Sequence, residues 1–200
     1  MFRRPLMLGL LAAALIPALA NAQATNRRIR GTIQSLDGST LVVQSREGDA
    51  LRIQLAPDAV VTAVIPATLA DAKPGTYIGT AATGPKTNLR ALEVLIFPEA
   101  MRGSGEGHRP WDLMPESTMT NATIESEAVG TDGRDLMLVA SGEKLRVTVP
   151  ADAPIVTFAP GDAAMLRPGA KVFIGAQVAA DGALSAARVA VGKDGLTPPM

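Results

Sequence analysis

The sequence contains no cysteine, so disulfide bonds, thiolate catalysis, cysteine-ligated zinc and a lipid-bearing N-terminal cysteine are excluded. Aromatic residues make up only 3% of the chain, which leaves few of the stacking platforms on which single-stranded nucleic acids bind. The 19 basic and 19 acidic residues cancel, so no strong field directs the chain to nucleic acid or anionic lipid. Nucleic acid is therefore not among the expected partners.

Long hydrophobic runs are missing except at the start of the chain. Residues 6–19 are apolar, follow an Arg-Arg pair and precede an A-x-A cleavage sequence. The run is shorter than the roughly 20 residues that cross a bilayer. These features predict a signal peptide over residues 1–22, cleaved after Ala22, and a periplasmic or secreted mature protein with no transmembrane span. An uncleaved anchor is the alternative, and both the general and the twin-arginine export routes are open.

One sequence pattern occurs twice. Residues 51–59 (LRIQLAPDA) return as residues 145–153 (LRVTVPADA), and residues 73–75 (KPG) return as residues 167–169 (RPG). Both pairs are separated by the same displacement, 145 − 51 = 94 and 167 − 73 = 94 positions. A constant displacement over a whole supersecondary unit predicts two copies of one fold.

Each copy has the pattern of a small β-barrel. In the first copy, Ile29, Gly31 and Ile33 alternate with polar residues, as in a half-buried strand, and Asp37-Gly38 predicts a hairpin turn. The order in each copy is three strands, a short helical segment and two strands, which is the order of an OB-type Greek key. The sequence therefore predicts an all-β protein of two tandem small OB-like β-barrels, each with one short helix between its third and fourth main strands. An SH3-like barrel and a plain meander give much the same pattern.

These patterns divide the chain after the leader into four parts. We expect a first β-barrel domain, an inter-domain linker, a second β-barrel domain and a C-terminal tail. Their predicted bounds are 23–98, 99–120, 121–192 and 193–200.

The predicted linker contains the only histidine and the only tryptophan, His108 and Trp111. An indole removes a large apolar area from water and its N–H needs a partner, so a plain linker has no need of one. We expect Trp111 to pack between the two barrels, with ligand stacking as the alternative. If the linker binds a ligand, the expected binding residues are Trp111, Arg109 and Arg102.

The same loop carries a candidate metal site. Glu106, His108 and Asp112 offer one imidazole and two carboxylates, a set of ligands that a divalent transition metal accepts. The alternative is that these side chains are solvated, since a single histidine in a glycine-rich loop is usually exposed and strong sites have two or more histidines. No other cofactor is expected.

Catalytic motifs are not found in the sequence. A serine hydrolase would have to use His108 with Ser104 or Ser117, but neither serine lies in a G-x-S-x-G elbow. The glycines at positions 103, 105 and 107 lack the G-x-G-x-x-G spacing of a dinucleotide site. The sequence therefore predicts a protein that is not an enzyme.

The paired pattern resembles a family of exported bacterial proteins built on an OB-like domain of unknown function, here in two copies. The resemblance rests on the segments GTI, LDG, LVV, LADAKPG and LRA, at residues 31–33, 36–38, 41–43, 69–75 and 89–91. The second copy differs in having Ala122 where the first has Gly31. The linker segments GEGH and PWD also resemble those of full-length relatives, some of which are described as metal-transport permeases. A permease is excluded for this chain, because no segment after Ala22 is apolar enough to span a membrane.

The expected function is that of a non-enzymatic binding or adaptor protein. OB-like surfaces and the cleft between two barrels are used to hold proteins, glycans or small ligands. The expected partner is an envelope protein, a glycan or a small ligand. The alternative is a periplasmic metal-handling accessory protein that uses Glu106, His108 and Asp112.

Overall fold

The computed structural model describes residues 25–130 and 133–200, and it is all-β. The predicted leader and the Thr131-Asp132 part of the second predicted hairpin turn lie outside the described residues. Thirteen strands follow in chain order. They are β1 (Thr25–Asp37), β2 (Thr40–Ser45), β3 (Ala50–Pro66), β4 (Tyr77–Thr83), β5 (Leu89–Ala91), β6 (Val94–Ile96), β7 (Gly107–Pro110), β8 (Thr118–Gly130), β9 (Gly133–Ala140), β10 (Glu143–Val149), β11 (Ile155–Pro160), β12 (Lys171–Val178) and β13 (Leu184–Gly192).

The helical segments are single turns. The predicted helices at residues 67–72 and 162–166 are 3₁₀ turns over Leu69–Asp71 and Ala163–Met165, and the described residues contain no α-helix. Two more 3₁₀ turns follow β6 and β13, at Glu99–Met101 and Lys193–Gly195. Such short segments cannot propagate as α-helices, because too few residues follow the costly first turn.

Five strands close the first barrel, which we define as β1, β2, β3, β13 and β12. β1 pairs with β2 and β12, β2 pairs with β3, β3 pairs in parallel with β13, and β13 pairs with β12. A second ring of pairings runs through β8, β9, β10, β5 and β4, with β10 and β5 parallel. Each group therefore combines three strands of one repeat with the last two strands of the other.

This exchange corrects the prediction that residues 23–98 and 121–192 form two separate tandem barrels. In that arrangement β1 would pair with β4, whereas the structure pairs β1 with β12 and β4 with β8. The long strand β3 explains the path of the chain. It pairs first with β2 and β13 and, at its end, with β11, so it carries the chain from the first barrel to the second ring. Because the repeats share one pattern, either pairing buries equivalent strands, as in domain swapping.

The buried side chains form three clusters. The first barrel is filled by residues such as Ile29, Leu41, Ile53, Ile174 and Val189, which come from both repeats. The second ring is filled in the same way. Its largest buried members are Ile78, Leu89, Ile124, Leu136, Leu138 and Leu145. The third cluster, which we call the seam, consists of Val64, Leu95, Val156 and Met200 with partly buried aromatic residues around it.

At two positions the local geometry of the main chain requires glycine. Gly38 lies at φ 56° in the turn between β1 and β2, which confirms the predicted Asp37-Gly38 hairpin. Gly31 lies where β1 approaches β2, and a Cβ atom there would be 2.2 Å from the main-chain oxygen of Gln44. The second repeat has the buried Ala122 at the corresponding position, so the two copies differ in how closely these strands pack.

The strand exchange predicts which cysteine pairs can form a disulfide. Asn26 and Gln177 are exposed and directly opposed in the β1–β12 ladder, at a separation suited to a disulfide. We expect the double variant Asn26→Cys/Gln177→Cys to crosslink quantitatively on mild oxidation, measured as a shift in gel mobility.

The matched control is Asn26→Cys/Thr83→Cys. Thr83 corresponds to Gln177 in the first repeat and would face Asn26 only if each repeat closed its own barrel. Crosslinking of this second pair in place of the first would contradict the exchange.

Candidate functional site

Trp111 lies at the contact between strands of the two repeats. It follows β7, and its main-chain N–H donates to the oxygen of Ser117 over 2.8 Å. Its ring packs against Phe173 on β12, with ring centroids 6.5 Å apart. Trp111 therefore bridges the second ring and the first barrel, in the region where the sequence predicted it to pack.

Three arginines surround the indole. The guanidinium carbons of Arg28, Arg109 and Arg30 lie 3.9 Å, 5.6 Å and 6.0 Å from its centroid. Arg28 and Arg30 are two positions apart on β1, so their side chains leave the same face of the strand. Arg109 comes from β7, in the segment that was predicted as the linker. We call Arg28, Arg30, Arg109, Trp111 and Asp112 the arginine–indole cluster.

Asp112 is paired with two of these arginines. Its Oδ1 accepts from Arg30 over 2.8 Å, and its Oδ2 lies 3.5 Å from a guanidinium nitrogen of Arg28. Burial opposes ionisation of this carboxyl, but the hydrogen bond and charge of Arg30 and the charge of Arg28 outweigh it and lower its pKa. Asp112 is therefore a carboxylate that balances arginine charge.

Arg30 is the most buried arginine of the cluster, with 9% of its surface exposed. Its Nε donates to the main-chain oxygen of Met200 over 2.7 Å, and its guanidinium lies 5.3 Å from the Phe173 centroid. These contacts, together with Asp112, satisfy Arg30. Through these contacts Arg30 connects β1 and the arginine–indole cluster to Met200 of the seam.

The positive charge of Arg109 is balanced less fully than that of Arg30. Its Nη1 donates to the main-chain oxygen of Gly105 over 2.7 Å, and within the described residues no carboxylate lies within ion-pair distance of it. Burial, followed by the nearby positive charge of Arg28, lowers its pKa. Two like charges are thus held close together beside one indole.

The loop under Arg109 is fixed by Asn121. The Asn121 Nδ2 donates to the main-chain oxygen of Ser104 over 2.9 Å. Gly105 passes so close that a Cβ atom would be 3.2 Å from Asn121 Nδ2 and 3.4 Å from Arg109 Nη2, at φ +58°. A larger residue at position 105 would therefore be strained at this φ and would press first on the side chain of Asn121.

Trp111 Nε1 is buried and has no hydrogen-bond partner among the described residues. A buried donor without an acceptor costs about 1–3 kcal/mol. The arginine–indole cluster therefore has hydrogen-bond donors in excess: three guanidinium groups and an indole N–H around one carboxylate.

The three predicted metal ligands are not brought together. Glu106 Oε1 accepts from the main-chain N–H of Ser141 over 2.6 Å, and His108 Nδ1 lies 2.8 Å from Thr120 Oγ1. Asp112 binds arginines instead. Across residues 25–130 and 133–200, no group of three or more histidine, aspartate or glutamate side chains could hold a metal ion. Burial, followed by the charge of Lys86, lowers the pKa of His108.

Arg102, the third predicted binding residue, lies outside the arginine–indole cluster. Its guanidinium forms a bidentate pair with Glu99, with nitrogen–oxygen distances of 2.5 Å and 2.7 Å. It also donates to the main-chain oxygen of Gly75 over 2.9 Å and lies 5.9 Å from the Tyr77 centroid. Arg102 therefore fastens the 3₁₀ turn after β6 to the start of β4.

Glu93 is a buried acid that sequence reasoning missed. It interrupts the strand between β5 and β6 and is 0% exposed. Its Oε1 accepts from the main-chain N–H of Ala81 over 2.8 Å, while its Oε2 has no partner among the described residues. Burial raises its pKa to about 8, against smaller opposing effects of the Ala81 hydrogen bond and the charge of Arg30. The available signal was a lone acid between two apolar strand segments.

Glu93 makes stability depend on pH. Between pH 4.5 and about 8 the carboxyl is protonated in the folded chain and ionised in the unfolded chain. Folding then takes up a proton, so the free energy of unfolding falls as pH rises through this range, by up to about 1.4 kcal/mol per pH unit. We expect Glu93→Gln to remove this slope in urea unfolding experiments.

The control for this measurement is Glu143→Gln, which changes an exposed glutamate paired with Lys86. Its pKa is lowered, chiefly by the Lys86 hydrogen bond, so it should not alter the slope above pH 4.5. A slope that persists in Glu93→Gln would contradict the assignment.

Comparison of the chain with protein-family models, with curated proteins and with solved structures finds no match in any of the three. Within the described residues, none of the helical segments has the length and hydropathy required to cross a bilayer.

Proposed function

We propose that the protein is an exported, non-enzymatic binding or adaptor protein whose ligands carry an anionic group held by the arginine–indole cluster. The resemblance to exported OB-like proteins supports this class. So does the strand order of the first barrel and of the second ring, in which two later strands close three consecutive antiparallel strands, an order that OB-type Greek keys also have.

The observation that carries the proposal is the imbalance of donors and acceptors. Arg28 and Arg109 lie close together beside Trp111, whose Nε1 has no partner among the described residues, and the cluster's carboxylate, Asp112, pairs with Arg28 and Arg30 and not with Arg109. A ligand carboxylate, sulfate or phosphate would supply the acceptors that are missing and separate the two like charges. Hydrogen bonds between charged partners are the strong ones.

The contacts of Ser117 and His108 support a role of these side chains in holding the loop over a role in hydrolysis. Ser117 Oγ donates to the main-chain oxygens of Trp111 and Met114, and His108 is hydrogen-bonded to Thr120. These contacts stabilise the loop that presents Trp111.

Anion binding can be followed through Trp111, the only tryptophan of the chain. We expect glutarate or sulfate to change its fluorescence saturably, beyond any effect of sodium chloride at equal ionic strength. Arg109→Gln should weaken this binding about tenfold, because it removes one charged hydrogen-bond donor.

The matched control is Arg102→Gln, the same chemical change at an arginine paired with Glu99. It should leave anion affinity unchanged. Equal weakening by both substitutions, or no saturable response to either anion, would overturn the proposal.

A further inference from the structure

The two repeats provide an internal comparison of their first strands. Residues 32–33 of β1 and residues 123–124 of β8 are both Thr-Ile, and each strand has a bulge just after its isoleucine. The isoleucines make the same contacts. Ile33 exchanges main-chain hydrogen bonds with residues 169 and 170, and Ile124 does so with residues 75 and 76.

In β8 both edges of the first half are paired. Residues 118–121 pair with β4 on one edge and with β7 on the other. The pairing with β7 continues where the main-chain N–H of Trp111 donates to the oxygen of Ser117. A four-residue strand from the linker therefore covers this edge of the second ring.

In β1 the corresponding edge is open among the described residues. β1 pairs with β12 from Thr25 onward, but its pairing with β2 begins only at Gly31. The main-chain oxygen of Arg30 accepts from the N–H of Arg46, so Arg30 faces the β2 side. Because main-chain groups alternate along a strand, those of Asn26 and Arg28 face the same edge. No strand of residues 25–130 or 133–200 pairs with them there.

We propose that this open edge of β1, residues 25–29, binds an extended acidic segment of a partner protein by β-strand addition. The partner strand would take the place that β7 takes on β8. This inference rests on the proposed function in one respect, because an acidic side chain of the partner would be the anionic group that Arg28 and Arg109 receive. Main-chain pairing gives such sites affinity, and side-chain pockets give them specificity.

The positive charge at this edge favours an acidic strand over a second copy of the chain. Residues 25–29 carry Arg27 and Arg28 and no acid. Arg27 and Arg28 each lie 3.5 Å from one carboxylate, of Asp49 and of Asp112, and Arg109 of β7 adds a charge that no carboxylate of the described residues pairs. A second copy paired through the same edge would bring arginines against arginines, and like charges directly opposite destabilise a strand pair. An acidic strand instead places carboxylates beside Arg28 and the indole of Trp111.

The probe is a short peptide of alternating Glu and Val, compared with peptides of alternating Gln and Val and of Lys and Val. We expect the Glu peptide to bind about tenfold more tightly than the Gln peptide, and the Lys peptide not to bind, by calorimetry and Trp111 fluorescence. Asn26→Pro should abolish peptide binding because its ring blocks the edge, whereas Asn26→Ala should not. Proline is tolerated there because that N–H does not pair with β12.

A second measurement does not depend on that variant. Amide hydrogen exchange at Asn26 and Arg28 should slow when the Glu peptide is added, while the amide of Ile29, which faces β12, should be unchanged.

Three results would overturn the inference: equal peptide affinity in Asn26→Pro and the unsubstituted protein, no protection of the two amides, or a dimer that Asn26→Pro dissociates. Glutarate separates the two proposals. If glutarate binds and the peptide does not, strand addition fails and the proposed anion site stands. If glutarate does not bind but the peptide protects the edge, the anion site fails and strand addition stands.

Discussion

A β-strand whose edges are buried must find partners for its main-chain groups, and here those partners come from the other repeat. In each closed group, three strands of one repeat are joined to two strands of the other repeat. The ladders that join them are β1 with β12 and β4 with β8. Both closed cores are therefore mixed, because neither contains side chains of one repeat alone. The seam follows from the same exchange, since the crossing strands β3, β6 and β11 must pass between the two cores. The aromatic side chains gather at this crossing: Phe97 contacts both Tyr77 and Phe158, and Trp111 contacts Phe173.

Local pattern in the sequence predicts much of this fold. Alternation around Ile29 and Ile33 identifies a strand, Asp37-Gly38 identifies its turn, and the constant displacement identifies the duplication. Pairing across the repeats could not be predicted, because two copies with one hydrophobic pattern bury the same positions whether or not they exchange strands. Of the residues predicted to bind a ligand, Trp111 and Arg109 lie together and Arg102 lies elsewhere, while Asp112, predicted as a metal ligand, pairs with arginines. The residues that join this group, Arg28 and Arg30, come from a distant strand, and Arg30 is 82 positions from Asp112. Glu93 could not be recognised as buried from the sequence, because its environment depends on the neighbouring strand β4, where the main-chain N–H of Ala81 donates to its carboxylate.

The two repeats carry different residues at equivalent positions of their first strands, β1 and β8. Where β1 carries Arg28 and Arg30, β8 carries Met119 and Asn121. Arg30 and Asn121 still act alike in one respect, since the side chain of each donates to a main-chain oxygen outside the strands, that of Met200 or of Ser104. Arg28 and Met119 do not: Arg28 brings a charge to the indole, and Met119 pairs with Arg109 in the β7–β8 ladder. The two equivalent strands therefore differ at one edge: the edge of β8 is covered by β7, whereas the edge of β1 carries arginines. This difference places the arginine–indole cluster beside β1.

The exchange also orders events during synthesis. The first three strands leave the ribosome long before β12 and β13, the strands that close the first barrel in the folded protein. Contacts of such high sequence separation slow folding and leave apolar strands uncovered for longer.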